Sequence, residues 1–380
     1  MKTFCRNSIQ HFSSLIYRGI GRYYSETGHF SQLSPSIAKV SHTGSKPRIG
    51  EKKISLFGCF RSYISIGIKE FWPIFAVALI SWFSVVICLD PAGSYPSLPE
   101  GPGLTIDEVF NVQQGSYLAR MTQSLGWLNL IPGTSQEAYQ VKNGYLPDHP
   151  PLGRIWLGVH HEFVRWLFPP LNPDGEFITA CARTGSATAF ALTVLLIGLF
   201  ATIWFGRSAG IMTSISLVLM PRLFGHAHLA SLETITNLTY TATVLSVAHW
   251  WNREKAPSKL TALLTGVLMG LALLTKIQAI LIPIPVACWV GWRWRTQGIV
   301  PLAIWSFTAA IVFYAGWPYL WSDTANHILE YLGRTTNRAT LYVWYFSHKY
   351  PDKLVPWHYP FVIFGLTVPI VLHALGAFFF

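Results

Sequence analysis

Two acids stand side by side in the run Leu104-Thr105-Ile106-Asp107-Glu108-Val109-Phe110, and the same stretch ends in Asp148-His149-Pro150-Pro151-Leu152-Gly153-Arg154. A carboxylate held against a reacting hydroxyl can take its proton, so a fixed acid is the first candidate for chemistry. Spacing separates the two acids. Thr105-x-x-Glu108 has the pattern of a capping box, with Thr105 as N-cap and Glu108 at N3. Glu108 then has a backbone partner. Asp107, at N2, is left open, and the positive end of the helix favours its ionised form. Asp107 is therefore expected as the base or acceptor-orienting carboxylate, with Glu108 the secondary of the two catalytic candidates.

Such an acid needs a frame, and the composition says which kind. The chain has 380 residues, 51% hydrophobic, 15% aromatic and only 12% charged, which is too apolar for a soluble domain. Apolar stretches approach the ~20 residues that cross a hydrocarbon core of about 30 Å. The net charge of +11 does not indicate nucleic acid, because the excess lies mostly in the amino-terminal tail. Cys5, Cys59, Cys88, Cys181 and Cys288 are scattered, which suits apolar packing and gives neither a disulfide framework nor a thiolate metal site.

The predicted fold class is an all-α polytopic membrane protein with about eight transmembrane helices and a large first external loop carrying amphipathic helices. Residues 1–53 read as a disordered basic cytoplasmic tail and 54–70 as an interfacial segment. The start is also Arg- and Ser-rich enough to pass for a mitochondrial transit peptide, but a cytoplasmic tail accounts for the topology more simply. Residues 71–380 form the membrane domain. Its spans are expected near 71–89, 184–206, 208–221, 232–251, 260–275, 277–292, 299–320 and 359–380. Lys and Arg flank the ends assigned to the inside, so the amino terminus is cytoplasmic and the loop 90–176 external. Gly266-x-x-x-Gly270 permits close helix contact. A helix near 152–168 places Trp156, His160, Phe163, Val164 and Leu167 on one face and is expected to rest on the external leaflet. The chain stops at Phe378-Phe379-Phe380 without a polar anchor, as a truncated relative would.

In this arrangement Arg183, Arg222, His226, His228, Glu233 and Lys276 all fall at external helix ends, and His149, Arg154, Arg334, Arg338 and His358 lie in external loops. No Asp, Glu, Lys or Arg falls mid-span. A transport path puts charge near the midplane, so a transporter or flippase of a lipid-linked molecule is the alternative, and a non-catalytic scaffold of the same fold is the third reading. Each residue also has a plainer role. Arg183 and Lys276 could snorkel, His149-Pro150-Pro151 could be a rigid turn, and His160-His161 could be interfacial packing. His226-x-His228 with Glu233 has metal-ligand types, but residues two apart do not share a helix face, and no metal is expected.

An Asp-Glu pair early in a large first external loop, followed by His-Pro-Pro, resembles the GT-C type integral-membrane glycosyltransferases that use polyprenyl-phosphate sugars. These include dolichyl-phosphate-mannose protein mannosyltransferases and lipid A aminoarabinose transferases. Pro221-Arg222-Leu223-Phe224-Gly225-His226-Ala227-His228-Leu229-Ala230-Ser231-Leu232-Glu233 resembles the family's second external element, where the closing acid is commonly Asp rather than Glu. Leu273-Leu274-Thr275-Lys276 resembles its helix end with a basic residue. The resemblance, over about residues 70–375, implies transfer of a sugar from a polyprenyl-phosphate donor to a hydroxyl or phosphate of a protein, lipid or glycan at the external membrane face. No cofactor is implied. Arg222, Lys276 and Arg183 would hold the donor phosphate, with His149, Arg154, His226, His228, Glu233 and His358 as secondary site residues. The partners are the donor, the acceptor and membrane lipids, without nucleic acid. The location would be the plasma (inner) membrane if bacterial, or the endoplasmic reticulum if eukaryotic.

Overall fold

The computed structural model describes residues 56–89, 105–126, 137–169, 179–252, 254–336 and 340–379. The tail 1–53, the segment 90–103 and Arg338 lie outside the described residues. The account below concerns the compact unit Arg61–Phe380.

The first helix, α1 (Leu56–Ile87), is continuous through Pro73, where the sequence suggests an interfacial segment followed by a separate span. Trp82 donates from Nε1 to Thr188 Oγ1 on α4 (Thr179–Phe205). The α4 sequence is rich in Ala, Gly, Ser and Thr, and these small residues let neighbours approach closely.

The helix that organises this unit is α3 (Pro151–Leu167), which packs against α2 (Ile106–Leu125), α4, α7 (Leu232–Trp250) and α8 (Lys259–Thr275). Pro151 opens it, because a first-turn residue needs no N–H partner and the ring presets a helical φ. Helices α2 and α3 run side by side in the same direction. Asn111 meets Arg154, and Ser116 and Arg120 meet Glu162. Between these polar rungs Gly115 faces Gly158 so closely that a Cβ on either would overlap the other's backbone.

Only one face of this helix is packed inside the unit, and the apolar stripe expected to meet the leaflet is the less covered one. The buried stripe is Pro151, Gly153, Arg154, Leu157, Gly158 and His161, while Val159, Phe163, Trp166 and Leu167 are exposed. Charge alone points Arg154 and Glu162 outward. They turn inward because each has partners there: Arg154 has Asp148, Asn111 and a backbone carbonyl, and Glu162 has Ser116, Arg120 and His161. A buried charge so satisfied loses most of its desolvation penalty. The Glu162 carboxyl accordingly lies below its ordinary pKa: burial pushes it up, and the Ser116 and His161 hydrogen bonds and the Arg120 charge overcome that.

Beyond α4, the short α5 (Arg207–Val218) and α6 (Pro221–His226) lead to α7. The Ser258 hydroxyl caps α8 by accepting from the Thr261 N–H. Helix α8 lies on α10 (Ile299–Ala315) through Gly266 and Gly270. A Cβ at Gly266 would lie 2.7 Å from the Trp305 carbonyl oxygen, and one at Gly270 would lie 2.9 Å from that of Ala309. The expected close contact is thus formed. Trp251, Trp294 and Trp305 fill the core beside it. Helix α9 (Pro283–Trp294) precedes α10 across a turn at Arg295–Gly298, where Arg295 takes φ 49.

Among the described residues, three stretches are long and apolar enough to cross a membrane: Glu70–Ile87, Thr179–Phe205 and Ile277–Ala315. The eight crossings expected from sequence are not confirmed. Helix α5 has 12 residues, roughly 18 Å at 1.5 Å each, against a core of about 30 Å. The carboxy-terminal run is divided into α13 (Tyr359–Thr367) and α14 (Ile370–Phe379). The expected last external loop contains α11 (Tyr319–Ser322), α12 (Thr324–Thr336) and an antiparallel hairpin of β1 (Tyr342–Tyr345) and β2 (His348–Pro351).

The α2–α3 contact sets a steric limit. Gly158→Ala should destabilise the protein by about 1–3 kcal/mol or more, read as a lower thermal midpoint of the purified chain. Gly291→Ala, where a Cβ meets nothing, should leave the midpoint unchanged or raise it. Equal midpoints for both variants would show that α2 and α3 are not in this contact.

Candidate functional site

The amino-terminal end of α2 is fixed by Glu108. Its Oε1 accepts from Arg183 Nε at 2.8 Å and from the Ala230 backbone N–H at 2.7 Å. Its Oε2 accepts from Arg183 Nη2 at 3.0 Å, the Thr105 N–H at 3.0 Å and Thr105 Oγ1 at 3.1 Å. The capping box expected from Thr105-x-x-Glu108 is present, yet it is the smaller part of what Glu108 does. Glu108 and Arg183 are both fully buried. Desolvating two such charges costs several kcal/mol each, and only bidentate pairing with every lone pair occupied offsets it.

This geometry revises two sequence expectations. Glu108, expected as a catalytic acid, has both oxygens saturated by donors and no solvent contact. Arg183, expected at a helix end to meet a donor phosphate, instead presents Nε and Nη2 to Glu108. The sequence signal missed a contact because Glu108, Arg183 and Ala230 are far apart in the chain. Asp107, the neighbour of Glu108, is exposed and makes no hydrogen bond or ion pair to a described residue.

A second cluster gathers where α3 and α7 begin and α8 ends. Lys276 Nζ donates to Glu233 Oε1 at 2.7 Å, and the pair is only partly covered, with side-chain exposures of 18% and 38%. Gly153 on α3 packs between Leu232 and Thr275, the neighbours of that pair. Immediately before α3, Asp148 takes two hydrogen bonds from the buried Arg154 guanidinium, at 2.6 and 2.9 Å. His149, next to Asp148, has its imidazole pKa lowered chiefly by burial, with the Arg154 and Lys276 charges adding to the effect and Asp148 and Glu233 opposing it. It is therefore neutral at neutral pH. The loop carrying Asp148 and His149 is anchored by Tyr145, whose hydroxyl accepts from Trp317 Nε1 at 2.7 Å inside a cluster with Tyr139, Tyr319 and Tyr331.

His149, Arg154, Glu233 and Lys276 are thus brought together, and Ala230 ties Asp107's helix end to the segment leading into Glu233. Arg154 serves from beneath, through Asp148, a residue that the sequence candidates did not include. The signal was available in the six-residue spacing of an acid and a base across Pro150-Pro151. Arg222 is exposed on α6. His228 Nδ1 pairs with the Phe224 carbonyl. His226 is half-buried on α6, and His358 packs against Tyr345 and Trp357 near the hairpin. Among the described residues no group of three His, Cys, Asp or Glu could hold a metal ion.

The Glu108 network can be tested separately from chemistry. Glu108→Gln keeps a cap for Thr105 and strips the buried Arg183 of its counter-charge, which should cost about 3–5 kcal/mol and lower both folded yield and melting temperature. Glu108→Leu combined with Arg183→Met should recover much of that loss. A fully stable Glu108→Gln variant would remove Glu108 from this structural role.

Comparison with known proteins places the chain in a family. No curated protein and no solved structure matches the chain. The family model for dolichyl-phosphate-mannose-protein mannosyltransferase matches residues 117–322, more than half of the sequence. The match takes in His149, Arg154, Arg183, Arg222, Glu233 and Lys276. Asp107 and Glu108 fall just before it and His358 beyond it. With three membrane-length apolar stretches, this describes an integral membrane glycosyltransferase that uses a polyprenyl-phosphate sugar. The chain belongs to the dolichyl-phosphate-mannose-protein mannosyltransferase family.

Proposed function

We propose that the chain transfers mannose from a polyprenyl-phosphate donor to a hydroxyl of a protein acceptor, at the membrane face where α2, α3 and α7 begin. Asp107 takes the acceptor proton. The acceptor oxygen then bonds to the anomeric carbon from the side opposite the phosphate. The bond from that carbon to the phosphate oxygen breaks, and polyprenyl phosphate leaves. The observation that carries this reading is the different treatment of two adjacent acids: Glu108 is saturated and buried, and Asp107 is exposed at N2 of a helix whose end Glu108 locks in place.

Lys276 is the proposed phosphate ligand. Its ammonium has three donors, one goes to Glu233, and its partial exposure leaves room for an anion on the others. Glu233 holds the Lys276 side chain in place, a task that glutamate can perform where the family commonly has aspartate. Asp148 and neutral His149 supply hydrogen-bonding groups beside it. Arg222 is a second phosphate ligand in this reading, exposed on α6. Arg183 acts through Glu108 rather than on the phosphate. The amino terminus is read as cytoplasmic and the transfer site as external, as the charge distribution suggests.

The test is transfer of labelled mannose from a polyprenyl-phosphate donor to a hydroxyl-bearing peptide by membranes containing matched amounts of each variant. Asp107→Asn should lose roughly 10²–10⁴-fold in turnover with unchanged melting temperature. Lys276→Ala should raise the donor concentration needed for half-maximal rate about ten- to a hundredfold, the weight of a charge-assisted contact. A fully active Asp107→Asn variant would remove Asp107 as the base, and normal donor dependence in Lys276→Ala would make that lysine a structural partner of Glu233.

A further inference from the structure

The hairpin beyond the family match presents a physical conflict that only one environment resolves. On one face Trp344 is 71% exposed and Tyr342 lies beside it, Phe346 at the tip is 69% exposed, and Trp357 just after the hairpin is 81% exposed. So much aromatic surface is unfavourable in water. Yet the hairpin is two four-residue strands with open edges, and unpaired backbone edges are excluded from hydrocarbon. The headgroup layer of a bilayer accepts both: it is wet enough for open N–H and C=O groups and apolar enough for indole and phenyl rings.

The charges on the hairpin fit the same layer. Lys349 stands opposite Trp344, its Nζ 4.6 Å from the Tyr342 ring centroid, and Lys353 follows in the next turn. Ammonium groups beside interfacial aromatics are placed to meet lipid phosphates. The tip adds an independent observation. Phe346 and Ser347 take φ 47 and 64, a left-handed conformation that the two-residue turn requires and that glycine or asparagine adopts more readily. The chain keeps a phenylalanine there despite the backbone strain, which puts an aromatic ring at the outermost point. The opposite face is already occupied, with Tyr345 buried against Tyr359 and His358. Phe361 and Phe364 of α13 are exposed as well, and Phe361 lies beside Trp357.

We infer that the Tyr342–Pro351 hairpin, with Trp357, is a bilayer-interface anchor: Trp344, Phe346 and Trp357 enter the headgroup region, and Lys349 and Lys353 bind the phosphates of anionic lipids there. The occupant is the lipid surface itself, and the inference is independent of the reaction proposed above.

The experiment uses the full chain in lipid nanodiscs. Ser347→Cys, in a background where Cys5, Cys59, Cys88 and Cys288 are replaced by serine, is labelled with an environment-sensitive dye; Cys181 is buried and stays. The dye should be quenched several-fold more by lipids carrying a nitroxide at the headgroup than by lipids carrying it deep in the chain, and poorly by aqueous iodide. Replacing Lys349 and Lys353 by glutamine should weaken the headgroup quenching in discs with anionic lipid, by roughly fivefold in the docked ratio per lysine, and change little in zwitterionic discs. Hydroxyl-radical footprinting of the unmodified chain supplies a second measurement: Trp344 and Trp357 should be oxidised several-fold less in discs than in a detergent that leaves the loops wet. Free access of iodide, strongest quenching from the deep label, protection lost when each disc holds one copy, or unprotected tryptophans would each overturn the anchor.

Discussion

The buried pair of Glu108 and Arg183 is the constraint on which the candidate site depends. Each charge alone would be intolerable in the interior, so α2 and α4 must meet at one height and one rotation for the two to pair. Ala230 adds its backbone N–H to the same carboxylate, which brings in the segment leading to α7. One side chain thereby sets the relative positions of three parts of the chain. Asp107 inherits its position from that lock, because it is the next residue on the same helix turn and has no described partner of its own. A rigid neighbour and an unpaired acid are what a base needs: the position is fixed and the lone pairs remain open.

Helix α3 carries the same logic to the second cluster. Its glycines let α2 and the α7–α8 pair approach closely, and Arg154 and Glu162 turn inward because each has partners there. Arg154 holds Asp148, so the acid and the adjacent His149 are presented at the start of α3 beside Lys276 and Glu233. The aromatic cluster around Tyr145 and Trp317 then fixes the loop from the other side. Stability and chemistry share residues here. The fully buried pair of Glu108 and Arg183 holds the frame, and the partly open Lys276 beside Glu233 is the cation proposed to meet an anion.

Much of this was legible in the sequence. Membrane character follows from composition and stretch length, because the energy of apolar transfer depends only on which residues are present. The α2 start and the Thr105–Glu108 cap were readable, since a cap is decided within four residues. The same holds for the start of α3 at Pro150-Pro151 and for the close approach permitted by Gly266 and Gly270. The resemblance to lipid-phosphate-sugar glycosyltransferases rested on short motifs in order, and the family match bears it out.

What local pattern could not supply were contacts between residues distant in the chain. Arg183 reads as a helix-end cation until Glu108 is found against it, and Arg154 reads as an outward charge until Asp148 and Asn111 are seen to satisfy it. A charge looks solvent-facing in sequence because its desolvation cost is a property of the residue, while the partner that offsets the cost is a property of the fold. Apolarity likewise does not say whether a run continues as one helix or turns, as at Arg295. The hairpin at Tyr342–Pro351 was hidden by its brevity and by a Phe-Ser turn that no turn rule favours. Sequence alone determined the solvent of this protein, several of its helix ends and its family. Tertiary structure alone supplied the Arg183 and Ala230 contacts that lock Glu108, because donors from distant segments are a property of the fold.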